Sequence, residues 1–125
     1  MSVRVELDQL ARTMAEYGGG YLLTVSDDGR PHAVAVAPAL VAGRLAMEGV
    51  GRRTRANVEA RGEVTLLFPP LQPGGYSLII DGSGLVQGEQ VTVGAEHAVL
   101  HRPADHATGP TDSSCGNDCV PLPAS

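Results

Sequence analysis

The feature that most restricts the fold of this chain is a series of short apolar segments separated by turn-forming residues. The segments cover residues 21–26, 31–41, 44–48, 64–68, 76–86 and 90–102. Asp27-Asp28-Gly29 and Ala42-Gly43 are hairpin turns, because glycine readily adopts the positive φ that such turns demand. Short strands joined by hairpins are typical of small barrels. The sequence therefore predicts a mainly β (α+β) fold, a six-stranded β-barrel with helical lids.

Two helices complete this predicted fold. Apolar residues recur at steps of four and three at Val3, Leu7, Leu10, Met14 and Tyr17. That period predicts an amphipathic helix over 3–17, which the glycines at 18–20 end. A second, short helix is predicted after the third strand, within the arginine-rich residues 50–61.

The last two strands carry glycines inside their apolar patterns. Asp81, Gly82 and Gly84 predict a bulge or sharp bend in the fifth strand, a device that barrels use at corners. Gly94 predicts an interruption of the sixth strand. Pro31 and Pro38 are expected at the ends of the second strand or at a bulge, because proline cannot donate a ladder hydrogen bond.

Composition excludes several classes of function. Fourteen acidic residues oppose nine arginines, and the formal charge is -5, which argues against nucleic acid or an anionic membrane as a partner. No apolar run approaches the roughly 20 residues needed to cross a bilayer, and no signal pattern begins the chain, so a cytoplasmic protein is expected. Only three tyrosines and one phenylalanine are present, so we expect an aliphatic core that needs a partner subunit to hide apolar surface.

A cluster of arginines lies at the start of the second predicted helix. Arg52, Arg53 and Thr54 follow Gly51, and Asn57 lies one turn further on. Guanidinium groups pair with phosphate oxygens two at a time, and a helix start adds unpaired N–H groups and a positive dipole end. The segment is thus a candidate binding site for the phosphate of a nucleotide-like cofactor. A solvated basic helix is the alternative, and the spacing does not decide between them.

Three segments, taken in order, resemble the pyridoxamine 5'-phosphate oxidase-like family. They are Tyr21–His32 (YLLTVSDDGRPH), Gly51–Val58 (GRRTRANV) and Val64–Phe68 (VTLLF). The resemblance covers about residues 5–102 and rests on the order of the elements more than on any one motif.

This resemblance implies a six-stranded split barrel that forms a homodimer, with FMN or, in some actinobacterial branches, a deazaflavin coenzyme between the subunits. Arg52-Arg53-Thr54 stands where the family holds the cofactor phosphate; Arg53 matches the family arginine and Thr54 replaces the usual lysine. Oxidation of vitamin B6 phosphate is not implied, because the basic residues for that substrate are missing. The expected activity is a flavin- or deazaflavin-dependent oxidoreductase of unknown substrate. The alternative is a non-catalytic split-barrel dimer that binds a cofactor or haem.

The chain changes character after residue 102. Pro, Ser, Thr, Gly and Asp dominate residues 103–125, which predicts a flexible tail after a domain over 1–102. Cys115 and Cys119 in this tail are an inert pair, a redox pair, or metal ligands completed by a histidine. The histidines considered for that site are His97, His101 and His106.

Overall fold

The computed structural model describes residues 1–103, and these residues form one curved, mainly antiparallel sheet with two short helices. The strands are β1 (Ser2–Arg4), β2 (Gly20–Val25), β3 (Pro31–Val36), β4 (Ala39–Val41), β5 (Arg44–Met47), β6 (Glu63–Phe68), β7 (Ser77–Gln87) and β8 (Gln90–His101). The helices are α1 (Leu10–Met14), which follows a 3-10 turn over Leu7–Gln9, and α2 (Arg52–Ala60). The predicted tail lies outside the described residues except for its first residue, as do Cys115, Cys119 and His106.

The strand order is β3-β2-β6-β7-β8-β5-β4, with β1 added beside β8. All neighbours pair antiparallel. The predicted β-rich split-barrel class is therefore confirmed, although the sheet has eight strands and not six. One extra strand arises because the predicted strand over 31–41 is divided at Ala37-Pro38. Its two halves, β3 and β4, lie at opposite ends of the strand order.

The predicted helix over 3–17 is wrong in its first half. Ser2–Arg4 instead forms β1, and Arg4 pairs with Val99 of β8. The backbone N–H of Val5 continues this pairing to Ala98 O at 2.8 Å. Pairing with an available sheet edge thus overrides a helical period that the same apolar residues also fit.

The predicted bulge is confirmed, and it lies where β7 and β8 change register. Asp81 pairs with His97 but Gly82 pairs with Ala95, so Glu96 is the extra residue. A Cβ on Gly82 would overlap the carbonyl oxygen of Gly94, which explains the glycine. The predicted interruption at Gly94 is wrong, since β8 runs through it without a break.

The core is aliphatic, as the composition predicts. Buried side chains come from both halves of the sheet and from the helices, and Phe68 is the one buried aromatic residue among those described. Helix α2 packs one face against the sheet through Thr54, Asn57 and Val58. This docking fixes the start of α2 beside the β2–β3 hairpin.

Candidate functional site

A cleft of about 230 Å³ lies between the first turns of α2 and the β2–β3 hairpin. Its lining residues are Ser26, Asp28, Arg30, Pro31, His32, Arg53 and Asn57. Two guanidinium groups and one carboxylate therefore face a single small space.

Within residues 1–103, no side chain caps the N-terminus of α2. Gly51 is the N-cap, no side chain bonds to the first turn, and that turn contains no acidic residue. The first intrahelical bond runs from Arg55 N–H to Gly51 O at 3.1 Å, so the three preceding N–H groups have no helical acceptor. Unpaired N–H groups and the positive end of the helix dipole favour an anion at this point.

The backbone at Gly51, just before α2, does not form a tight turn. Its φ of -72° is ordinary, and a Cβ at this position would meet no atom within 4 Å. The left-handed turn lies at Gly49, with a φ of +70°. The fold therefore leaves open space beside the helix start.

The structure separates the predicted site residues into two groups. Arg53 and Asn57 line the cleft. Arg52 is exposed outside the cleft lining, and Thr54 is buried on the face of α2 that packs against the sheet. Thr54 can therefore offer its backbone N–H, while the geometry gives no support for a role of its hydroxyl.

Two other arginines of the same segment donate hydrogen bonds to backbone carbonyl oxygens. Arg55 Nη1 donates to Val50 O at 2.6 Å. Arg61 donates from Nε to Ser26 O at 3.0 Å and from Nη2 to Asp27 O at 3.2 Å. Arg61 thereby ties the end of α2 to the hairpin. Within residues 1–103, Arg53 has no hydrogen bond or ion pair, which leaves its guanidinium available to a ligand.

Asn57 connects the cleft to the interior of the barrel. It is only 4% exposed, and its Nδ2 donates to Thr24 Oγ1, itself 1% exposed, at 3.0 Å. No described residue donates to Asn57 Oδ1. Buried polar atoms are normally paired, so this acceptor at the cleft wall is suited to a hydroxyl or N–H group of a ligand.

The residues of the β2–β3 hairpin that line the cleft, the hairpin wall, were not predicted as cofactor-binding residues from the sequence. The Ser26 hydroxyl hydrogen-bonds Asp28, and the Arg30 N–H donates to Ser26 Oγ at 3.0 Å. Bonding to Ser26 lowers the pKa of Asp28, and nearby Arg53 lowers it slightly further. His32 is the register partner of Thr24, which brings it close to Asn57. The Asp-Gly turn fixes this register, so the Thr24–His32 pairing was readable from the sequence; the docking of α2 was not.

A second polar cluster lies on the outer face of the sheet. Thr65 Oγ1 donates to Asp81 Oδ1 at 2.6 Å, and His97 Nδ1 lies 3.9 Å from Asp81 Oδ2. His101 Nδ1 is 3.0 Å from Ser2 Oγ. Over residues 1–103, no three His, Cys, Asp or Glu side chains are grouped so as to hold a metal ion. None of the helices in this range is long and apolar enough to span a bilayer.

The arrangement of strands defines the class of protein. A protein from Listeria innocua described as a pyridoxamine 5'-phosphate oxidase matches with a TM-score of 0.61 at 18% identity, over 75% of this chain and 96% of that chain. The FAD binding protein of Mycobacterium smegmatis matches with a TM-score of 0.58 at 12% identity, over 82% and 100%. An F420 reductase matches with a TM-score of 0.50 at 18% identity, over 63% and 85%. The fold is thus the pyridoxamine 5'-phosphate oxidase-like split barrel, one found among flavin- and F420-type proteins.

Two mycobacterial proteins are related in sequence. The uncharacterized proteins Mb0449c of Mycobacterium bovis and MT0457 of Mycobacterium tuberculosis are each 37% identical over 133 residues, covering 94% of this chain and 94% of each relative. No family model matches the chain. The chain belongs to one family with these two proteins, and its fold is that of the pyridoxamine 5'-phosphate oxidase-like split barrels.

Proposed function

We propose that this protein is an oxidoreductase that binds FMN between two copies of the chain, with the cofactor phosphate at the start of α2. The observation that carries the proposal is a cleft lined by Arg53, from the first turn of α2, and by Asn57. Within residues 1–103, no side chain caps this helix start, and the Arg53 guanidinium and Asn57 Oδ1 have no hydrogen-bond partner. Arg53 would bind the phosphate oxygens, and the N–H groups of the first turn would add further donors. Arg52, outside the cleft lining, would contribute charge at longer range.

The size of the cleft supports a phosphate-bearing tail and not a whole cofactor. Small-molecule pockets usually span about 300–1,000 Å³. A cleft of about 230 Å³ is smaller than that range. One protomer therefore encloses the tail, and the ring system needs a further surface.

A second copy of the chain would provide that surface. An apolar row crosses five strands in register on the outer face of the sheet: Ala35, Tyr21, Leu67, Ile79 and Val99. Tyr21 in this row is 44% exposed. An apolar face of this kind favours association, and we propose that it forms part of a homodimer interface.

The chemistry of the proposed activity comes from the cofactor. A bound flavin or deazaflavin accepts and donates hydride, and the protein holds and orients it. The residues on this chain that fit the group are Arg53, Asn57 and the first-turn N–H groups, and we assign no catalytic side chain. The deazaflavin coenzyme is the alternative occupant, supported by the likeness to an F420 reductase. A cytoplasmic location stays a prediction.

The test compares FMN with riboflavin, which differs only in lacking the phosphate. Titrations followed by flavin fluorescence should show FMN binding at least tenfold more tightly than riboflavin, the loss expected from one charged hydrogen bond. A parallel titration with F420 distinguishes the alternative cofactor. Sedimentation should show a dimer. If neither FMN nor F420 binds, a non-catalytic or haem-binding barrel becomes the better account, and a haem titration would then decide between these two.

A further inference from the structure

We propose that Asp28 makes the cleft selective for a phosphate ester whose chain carries hydroxyl groups next to the phosphate. The inference rests on the proposed function, since it concerns the same cleft. It goes beyond that function because it assigns a specificity-determining carboxylate to the hairpin wall, opposite the wall that holds the anion. The ligand class is a polyol phosphate, such as a ribityl or ribosyl phosphate.

The carboxylate of Asp28 is fixed in position. Its Oδ1 is bonded to the Ser26 hydroxyl, and Ser26 in turn accepts the Arg30 N–H at 3.0 Å. The backbone N–H groups of Asp28 and Arg30 also hydrogen-bond to this carboxylate and help to lower its pKa. A carboxylate accepts about four hydrogen bonds, so the exposed side chain keeps a site for one donor from a ligand in the cleft. Asp28 lines the same cleft as Arg53, whose charge acts on it.

The two walls of the cleft therefore favour different chemical groups of a ligand. Arg53 and the start of α2 attract an anion, whereas the ionised Asp28 repels one and accepts hydrogen bonds. Inorganic phosphate satisfies the first wall only. A ligand with a phosphate at one end and hydroxyl donors two or three bonds away satisfies both. Asn57 Oδ1, buried and unpaired among the described residues, adds a second acceptor for such donors.

The test uses two probes of equal chain length, ribitol 5-phosphate and n-pentyl phosphate. Both carry a phosphate, but only the first carries hydroxyl groups. Calorimetric titration of the unmodified protein should show ribitol 5-phosphate binding about tenfold more tightly, the gain from one hydrogen bond to a charged acceptor. In the Asp28→Ala variant the preference for ribitol 5-phosphate should fall to about threefold or less, the part that a neutral hydrogen bond to Asn57 Oδ1 can supply.

The variant should also change the two affinities in opposite directions. Ribitol 5-phosphate should bind more weakly, because its acceptor is lost. Pentyl phosphate should bind more tightly by roughly threefold, the size of a solvent-screened interaction between two unit charges. A variant that merely disturbs the hairpin would weaken both probes. The neighbouring Asp27→Ala is the control, because Asp27 lies on the same turn but outside the cleft lining and should leave both affinities unchanged.

The outcomes separate the two proposals. Equal affinity of the unmodified protein for both probes would overturn the selectivity of Asp28 and leave the phosphate site intact. Loss of both probes in Asp28→Ala, with Asp27→Ala unaffected, would also overturn it. Failure of both phosphates to bind the unmodified protein would overturn the proposed phosphate site and this inference together.

Discussion

Replacing Arg53 by alanine tests the proposed phosphate-binding site most directly. The guanidinium lines the cleft, is exposed, and has no hydrogen bond to another described residue. Its removal should therefore cost the fold little and the ligand much. A hydrogen bond between two charged groups contributes about 1.5–3 kcal/mol, so Arg53→Ala should weaken FMN binding by roughly 12- to 150-fold.

The assay separates phosphate binding from binding of the ring. Dissociation constants for FMN and riboflavin are measured on the unmodified protein and on Arg53→Ala. The loss should fall on FMN, with riboflavin changed by less than about twofold, because riboflavin has no phosphate to contact. The dependence of FMN affinity on salt should also become shallower, since one charge of the site is gone.

Arg12→Ala is the matched control, because Arg12 is an exposed arginine in the last turn of α1. Its removal changes the net charge by the same amount and should leave FMN affinity within about twofold. An unchanged FMN affinity in Arg53→Ala would refute the phosphate-binding site. Equal losses for FMN and riboflavin would refute it as well, because they would indicate a general disturbance of the cleft.

Three further predictions concern the surroundings of the cleft and the bulge. Asn57→Ala should lower the free energy of unfolding by about 1–3 kcal/mol in urea titrations, because it leaves a buried hydroxyl without its donor. Ser26→Ala should destabilise the protein at neutral pH, because the Ser26 hydroxyl bonds to the ionised Asp28 and lowers its pKa below the ordinary 3.8. The difference in melting temperature between the unmodified protein and Ser26→Ala should therefore shrink as pH falls through that lowered pKa. Gly82→Ala should cost about 1–3 kcal/mol in the same urea titrations, because its Cβ would meet the Gly94 carbonyl.

Each of these has an outcome that would contradict it. Gly18→Ala is the control for the bulge, because a Cβ there meets nothing within 4 Å, and equal stabilities of the two glycine variants would refute the steric argument. A stability difference for Ser26→Ala that persists at pH 2 would show that the hydroxyl does not act through the Asp28 carboxylate. Full stability of Asn57→Ala would show that its amide is dispensable to the fold.

The sequence predicts the sheet where local chemistry decides the backbone. Asp27-Asp28-Gly29 and Ala42-Gly43 specify hairpins whose positive φ values occur at Ala42, Gly29 and Gly43. Gly82 likewise marks the position of the bulge, although the extra residue, Glu96, lies on the paired strand β8. The start of the chain is different, because the same apolar residues fit a helix and a strand. The strand forms there because the edge of β8 is available, a fact that no local pattern contains.

The site was predictable only in part for a related reason. The spacing locates a basic helix start without separating its arginines, and only the family resemblance distinguishes Arg53. The structure distinguishes them by what lies nearby: Arg55 and Arg61 bind backbone carbonyls, whereas Arg53 faces the cleft. Asp28 belongs to the site because α2 docks against the hairpin, and that contact joins residues far apart in the chain.

Because α2 docks against the sheet, replacing Asn57 and replacing Arg53 have different consequences. Asn57 bonds to Thr24 inside the barrel and lines the cleft, so its replacement changes fold and site together. Arg53 lies one turn earlier and is exposed, so it contributes to the site but not to the core. A loss of FMN affinity in Asn57→Ala would therefore carry little meaning by itself. Arg53→Ala and Asp28→Ala, which alter opposite walls of the cleft without removing a core contact, are the variants from which a function can be inferred.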